Sequence, residues 1–203
     1  MTLEDLMGAD ENGIAESAER LSAGDIADIV AWLCEKNDAI RYPSLLLLES
    51  RSRIADDVYT YRETFREKLK SDNSFQRNIG AILIAANARW DDGWLDGVIG
   101  EYLELLYDEK PITVRQCVQR LKEIVPYKPK LHGVIAEKLL SLDLGGVRET
   151  MRKLVLTDIL EVLAMIRKVK TSDAIESYIM DAMTGGLLDK KAKKHLGELL
   201  KNE

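Results

Sequence analysis

Residues 89–97, ArgTrpAspAspGlyTrpLeuAspGly, hold two of the three tryptophans of the chain and three aspartates within nine positions. Aromatic rings can stack beside a cationic group, and a carboxylate can stabilise a developing positive charge, so this composition suits an active site for a cationic or electron-poor ligand. Trp90, Asp91, Asp92, Trp94 and Asp96 are expected to lie near Tyr59, Tyr61 and Tyr102. No other chemistry-bearing pattern competes with this stretch. His132 and His195 are the two histidines, 63 positions apart, and neither has a carboxylate or thiol at metal-ligand spacing, so no metal and no cofactor is expected. No phosphate-loop, nucleophile-elbow, CysXaaXaaCys or HisGluXaaXaaHis pattern occurs, and no catalytic residue is assigned. The GlyGly pairs at 145–146 and 185–186 follow no strand and read as turns. Cys34 and Cys117 sit inside apolar helical patterns and are expected to be buried, reduced thiols.

The elements that must position these residues are helices. Ile112, Val114, Cys117, Val118, Leu121, Ile124 and Val125 recur at steps of three and four, with Gln116, Gln119, Arg120 and Glu123 on the opposite face. Pro111 suits the first turn of that helix and ProTyrLysPro at 126–129 ends it. Further breaks fall at AspLeuGlyGly 143–146, LysThrSerAsp 170–173 and ThrGlyGly 184–186. No run of alternating β-branched residues predicts a strand.

A repeat appears when the chain is anchored on arginine. Arg41, Arg77, Arg115 and Arg152 are 36, 38 and 37 residues apart, each near the start of a strongly apolar helix. Arg148 is an alternative anchor for the fourth copy. A two-helix unit of about 37 residues is the period of an α-solenoid. On this period, and on IleThrValArg at 112–115 and GlyValArg at 146–148, the chain resembles the HEAT and armadillo-like repeat families over about residues 24–202.

The resemblance implies an all-α, right-handed α–α superhelix. Residues 1–22 would form an N-terminal helical cap, and 24–202 a single domain of five pairs at 24–53, 54–90, 93–127, 130–169 and 171–202. It implies that the repeated arginines pair with aspartates of neighbouring repeats, with helix-end carbonyls as the other acceptors suited to a guanidinium fork. A concave face formed by the second helices would then serve as a non-catalytic scaffold for a protein or peptide, with Arg41, Arg77, Arg115, Gln119, Arg152, Trp90 and Trp94 as candidate contacts. Some DNA glycosylases of this architecture use Trp, Asp and Arg in a cleft, which makes a DNA-binding or glycosylase-like protein the first alternative. A regulatory subunit of a larger complex is the second.

Charge argues against nucleic acid. The chain carries a net charge of −6, and residues 1–110 hold 23 acidic against 12 basic residues, a net of −11, whereas 111–203 hold 12 against 17, a net of +5. The aromatic cluster lies in the acidic half, which would repel a phosphate backbone. No apolar window spans a bilayer and the N-terminus is acidic, so no membrane partner and a cytoplasmic location are expected. Because residues 89–97 fall between one repeat and the next, the stretch is also expected to be an inter-repeat turn. In that reading Asp91 or Asp92 caps the following helix and a Trp packs across the junction.

Overall fold

The computed structural model describes residues 11–201. Those residues form α-helices and short 3-10 turns without a strand, so the chain is all-α. Most of the expected N-terminal cap, residues 1–10, lies outside the described residues; what is seen of it is helix α1, Glu11–Arg20. The described residues fall into two compact units, the first ending at Trp94 and the second beginning at Leu95.

In the first unit α1 is followed by α2 (Ala23–Trp32), α3 (Asp38–Ser52), a 3-10 turn (Asp57–Tyr61), α4 (Arg62–Leu69) and α5 (Ser74–Ala86). Short polar side chains set the helix starts. Ser22 and Asp25 close a capping box on α2, and Asn37 and Asn73 accept the Ala39 and Phe75 amides at 3.0 and 2.9 Å. Their apolar faces meet in a core that includes Ile26, Ile29, Leu33, Leu48, Phe65 and Leu83. Helix α5 is buried continuously from Ile79 to Ala86, because α3 and α4 both pack against it. Gly80 makes this possible: a Cβ at that position would stand 2.6 Å from the carbonyl oxygen of Phe65 on α4.

The second unit holds α6 (Trp94–Leu103), α7 (Pro111–Ile124), α8 (His132–Ser141), α9 (Glu149–Val169), α10 (Asp173–Thr184) and α11 (Lys190–Lys201). Pro111 opens α7, Ser172 accepts the Ile175 amide at the start of α10, and Asp189 accepts the Ala192 amide before α11. Helix α9 is central: α7, α8, α10 and α11 all pack on it. The core includes Tyr102, Cys117, Leu121, Ile124, Ile135, Leu139, Ile159 and Leu163. Burial raises the Cys117 thiol and the Tyr102 phenol well above their usual values, so both stay neutral.

Cys34 departs from expectation. Helix α2 ends at Trp32, so the periodicity that buries Ile26, Ile29, Val30 and Leu33 no longer governs the next residue, and Cys34 is exposed. Of the two histidines, His132 is buried and bonds the Val125 carbonyl oxygen through Nε2 at 2.9 Å, while His195 is half-exposed and meets Glu161 at 2.8 Å.

Candidate functional site

The stretch 89–94 is wired into the turn that ends α3. Asn87, 2% exposed, donates from Nδ2 to Ser52 Oγ at 2.9 Å and to the Leu83 carbonyl at 2.8 Å. Trp90 donates its indole N–H to the Ser52 carbonyl at 2.6 Å, and Arg89 reaches the Arg53 carbonyl at 2.7 Å. The Tyr59 hydroxyl donates to both Asp91 and Asp92, at 2.9 and 3.0 Å. Burial foremost, then the Asp91 carboxylate, pushes the phenol well above its usual range, which keeps it a donor.

Asp91 also accepts the Gly93 amide at 3.0 Å, and Gly93 adopts φ +116°, a backbone conformation that only glycine enters without strain. Trp94 extends its indole to Glu63 at 2.5 Å. Trp90 therefore crosses the junction, and Tyr59 is the tyrosine that the cluster gathers. Tyr102 is fully buried within the second unit.

The repeated arginines serve their own copies in three cases of four. Arg77 holds the Ser71 and Asp72 carbonyls at 2.8 and 3.0 Å, Arg152 holds Val147 and Gly145 at 2.8 Å each, and Arg41 reaches the Glu35 carbonyl at 3.4 Å and pairs with Asp38. Each ties the turn between two helices to the start of the second. The fourth copy is thus in register on Arg152; Arg148 precedes α9.

Arg115 follows the inter-repeat pattern, pairing with Asp158 on α9 at 2.8 Å, where Gln119 joins it at 3.2 Å. One turn further, Lys122 and His195 converge on Glu161 at 2.6 and 2.8 Å. Burial raises the Glu161 carboxyl, but hydrogen bonds from Lys122 and His195 outweigh it and leave the group below its usual value. A clamp not foreseen from sequence sits at Arg51, which chelates Asp57 at 2.7–3.1 Å and bonds the Ala18 and Glu19 carbonyls at 3.1 Å.

One open depression in the first unit has the character of a binding site. The N-terminal halves of α3 and α5 enclose about 550 Å³ between Asp38, Ala39, Arg41, Tyr42, Leu45, Phe75, Asn78 and Ile79. Leu45 and Ile79 are buried and form its floor, whereas Tyr42 and Phe75 stand 60% and 59% exposed at its rim. The Arg41 guanidinium lies over the Phe75 ring at 4.8 Å, with Asp38 neutralising it. The Asn78 side-chain oxygen is buried without a hydrogen-bond partner. Of the candidate contacts chosen from sequence, Arg41 lines this groove; Arg77, Arg115, Gln119, Arg152, Trp90 and Trp94 are engaged elsewhere as described. Tyr42 and Phe75 escaped notice, although each lies within two residues of a repeated arginine, where the copies differ in type.

Among the described residues no group of three or more His, Cys, Asp or Glu side chains is placed to hold a metal ion, and no helix is long and apolar enough to cross a membrane. No protein-family model matches the chain, and no curated protein matches it. The crystal structure of an engineered protein from the Northeast Structural Genomics Consortium is similar to it, with a TM-score of 0.57 and 16% identity over 98% of this chain and 94% of that one. That likeness is one of fold alone.

Proposed function

We propose that the chain is a HEAT-like, right-handed α-solenoid of about five helix pairs that works as a non-catalytic scaffold for a protein or peptide partner. The groove between α3 and α5 carries this reading. Two exposed aromatic side chains over an apolar floor are an unusual surface for water to cover, and they match the anchors that dominate peptide recognition. The arginine across Phe75 already has its counter-charge, so the groove favours an apolar or aromatic side chain over an anion. A rigid helical platform also lowers the ordering cost of binding. The Trp/Asp cluster lends no support to a glycosylase-like alternative, since its indoles are bonded to the Ser52 carbonyl and to Glu63 and its Asp91 and Asp92 carboxylates to the Tyr59 hydroxyl.

Selection of a phage-displayed peptide library on the intact chain tests the proposal. Enriched peptides should carry a large apolar residue, and Tyr42→Ala or Phe75→Ala should weaken their binding by about tenfold or more in calorimetric titration, the range of an interface anchor. Peptides that bind both variants as well as the parent, or a library that yields no enrichment, would remove the reading.

A further inference from the structure

The exposed thiol of Cys34 has a charged neighbour. At the end of α2 its Sγ lies 3.3 Å from the Lys68 ammonium, which α4 projects inward and which is itself only 8% exposed. The second partner of Lys68 is the neutral Gln76 side-chain oxygen on α5, and Gln76 in turn donates to the Leu33 carbonyl at 2.7 Å, next to Cys34. Among the described residues no carboxylate pairs with Lys68. A buried ammonium without a counter-ion is costly, and charged groups of this kind are normally paired. Here the group positioned to supply the counter-charge is Cys34, once its proton has left. The turn that follows α2 presents the sulfur and α4 the ammonium, while Gln76 on α5 bonds the ammonium and the Leu33 carbonyl beside Cys34.

From this geometry we propose that Cys34 is a modification site for peroxides, with Lys68 as its proton donor. The Cys34 thiolate attacks one oxygen of the peroxide; a sulfur–oxygen bond forms as the oxygen–oxygen bond breaks. The sulfur gives up two electrons to the peroxide and becomes a sulfenic acid, while the departing hydroxide takes a proton from the Lys68 ammonium and leaves as water. Reduction by an external thiol restores the starting pair. Cys117, fully buried and held neutral, offers the same atom without access or a cationic partner.

The test treats the intact chain with hydrogen peroxide in the presence of dimedone, and follows sulfenic-acid adducts at each cysteine by peptide mass spectrometry. Cys34 in the folded chain should react about tenfold faster than Cys34 in the urea-unfolded chain, since activation rather than exposure sets the rate. Cys117 should be silent until unfolding. Lys68→Met should abolish the excess, and Gln76→Glu, which hands the ammonium a carboxylate, should reduce it in the same direction. A folded rate no higher than the unfolded one overturns the proposal, a comparison that needs no variant. Wild-type rates in both folded variants overturn it too.

Discussion

The junction of the first unit and the cross-helix contacts of the second hold neighbouring helices in register by different chemistry. Between α5 and its neighbours α3 and α4 the contacts are mostly neutral and buried: Asn87 to Ser52, Trp90 to the Ser52 carbonyl, and a glycine that brings α5 onto the α4 backbone. Between α7, α9 and α11 they are charged and partly wet: Arg115 with Asp158, then Lys122 and His195 with Glu161. The contrast extends to a single register position. Counting three residues on from the repeated arginine gives Gly80 in α5 but Val118 in α7, both buried. Where glycine stands, helices meet backbone to backbone, and direction is fixed by shape and neutral hydrogen bonds. Where valine stands, side chains intervene, and long charged groups on the adjoining face take over the alignment. Neutral buried contacts are indifferent to salt and pH; ion pairs are not.

Three substitutions press on this contrast, in falling order of expected effect. Gly80→Ala places a methyl carbon against the Phe65 carbonyl, where neither backbone can retreat without moving a helix, and should cost about 3 kcal/mol or more in chemical denaturation. A loss below about 1 kcal/mol would mean that α4 and α5 slide apart freely, and the tight-approach account would fail. Asn87→Ala strips two side-chain hydrogen bonds from a buried site, leaving Ser52 Oγ with only its bond to the Leu48 carbonyl and the Leu83 carbonyl with only the backbone amide of residue 87. It should cost about 2 kcal/mol, unchanged between low and high salt.

Glu161→Gln is the mildest, about 0.5–1 kcal/mol at neutral pH, because the pairs it breaks are partly solvated. Its signature is pH dependence. The folded-state carboxyl of Glu161 lies below its usual value of 4.5, so its contribution is present above that pH and disappears as pH falls through the lower, folded-state value. The variant should therefore show a shallower acid arm than the parent, and a smaller response to salt. Parallel acid arms would assign the pH sensitivity to other groups.

Much of the helical plan was legible because its punctuation is local. Asn37, Asn73, Pro111 and Ser172 act within two or three residues of themselves, so caps and starts follow from the residue and its neighbours. The period of the arginines was legible as well, and their engagement of turn carbonyls follows from a guanidinium fork set at a helix start. Their partners across the chain were not. Nothing local distinguishes Arg115, which reaches Asp158, from Arg77, which reaches Ser71, since the choice depends on whether a facing helix presents a carboxylate 43 positions away. The α3–α5 groove was hidden for the same reason: Phe75 belongs to an apolar helical pattern, and only the packing of α5 on α3 and α4 leaves its ring outside. Cys34 was misread because a periodicity was carried one residue beyond the helix that enforced it.

The indoles of Trp90 and Trp94 have a use that their structural duties supply without alteration. Each N–H is fixed to a different acceptor, a main-chain carbonyl in one case and a carboxylate in the other, on opposite flanks of the same tight turn. Two of the three indole chromophores of the chain therefore flank a single tight turn. An event that loosens the end of α3 from the end of α5 changes the surroundings of Trp90, and one that frees α4 from the turn changes those of Trp94, so native emission serves as a built-in optical gauge of that junction, readable in the unlabelled protein.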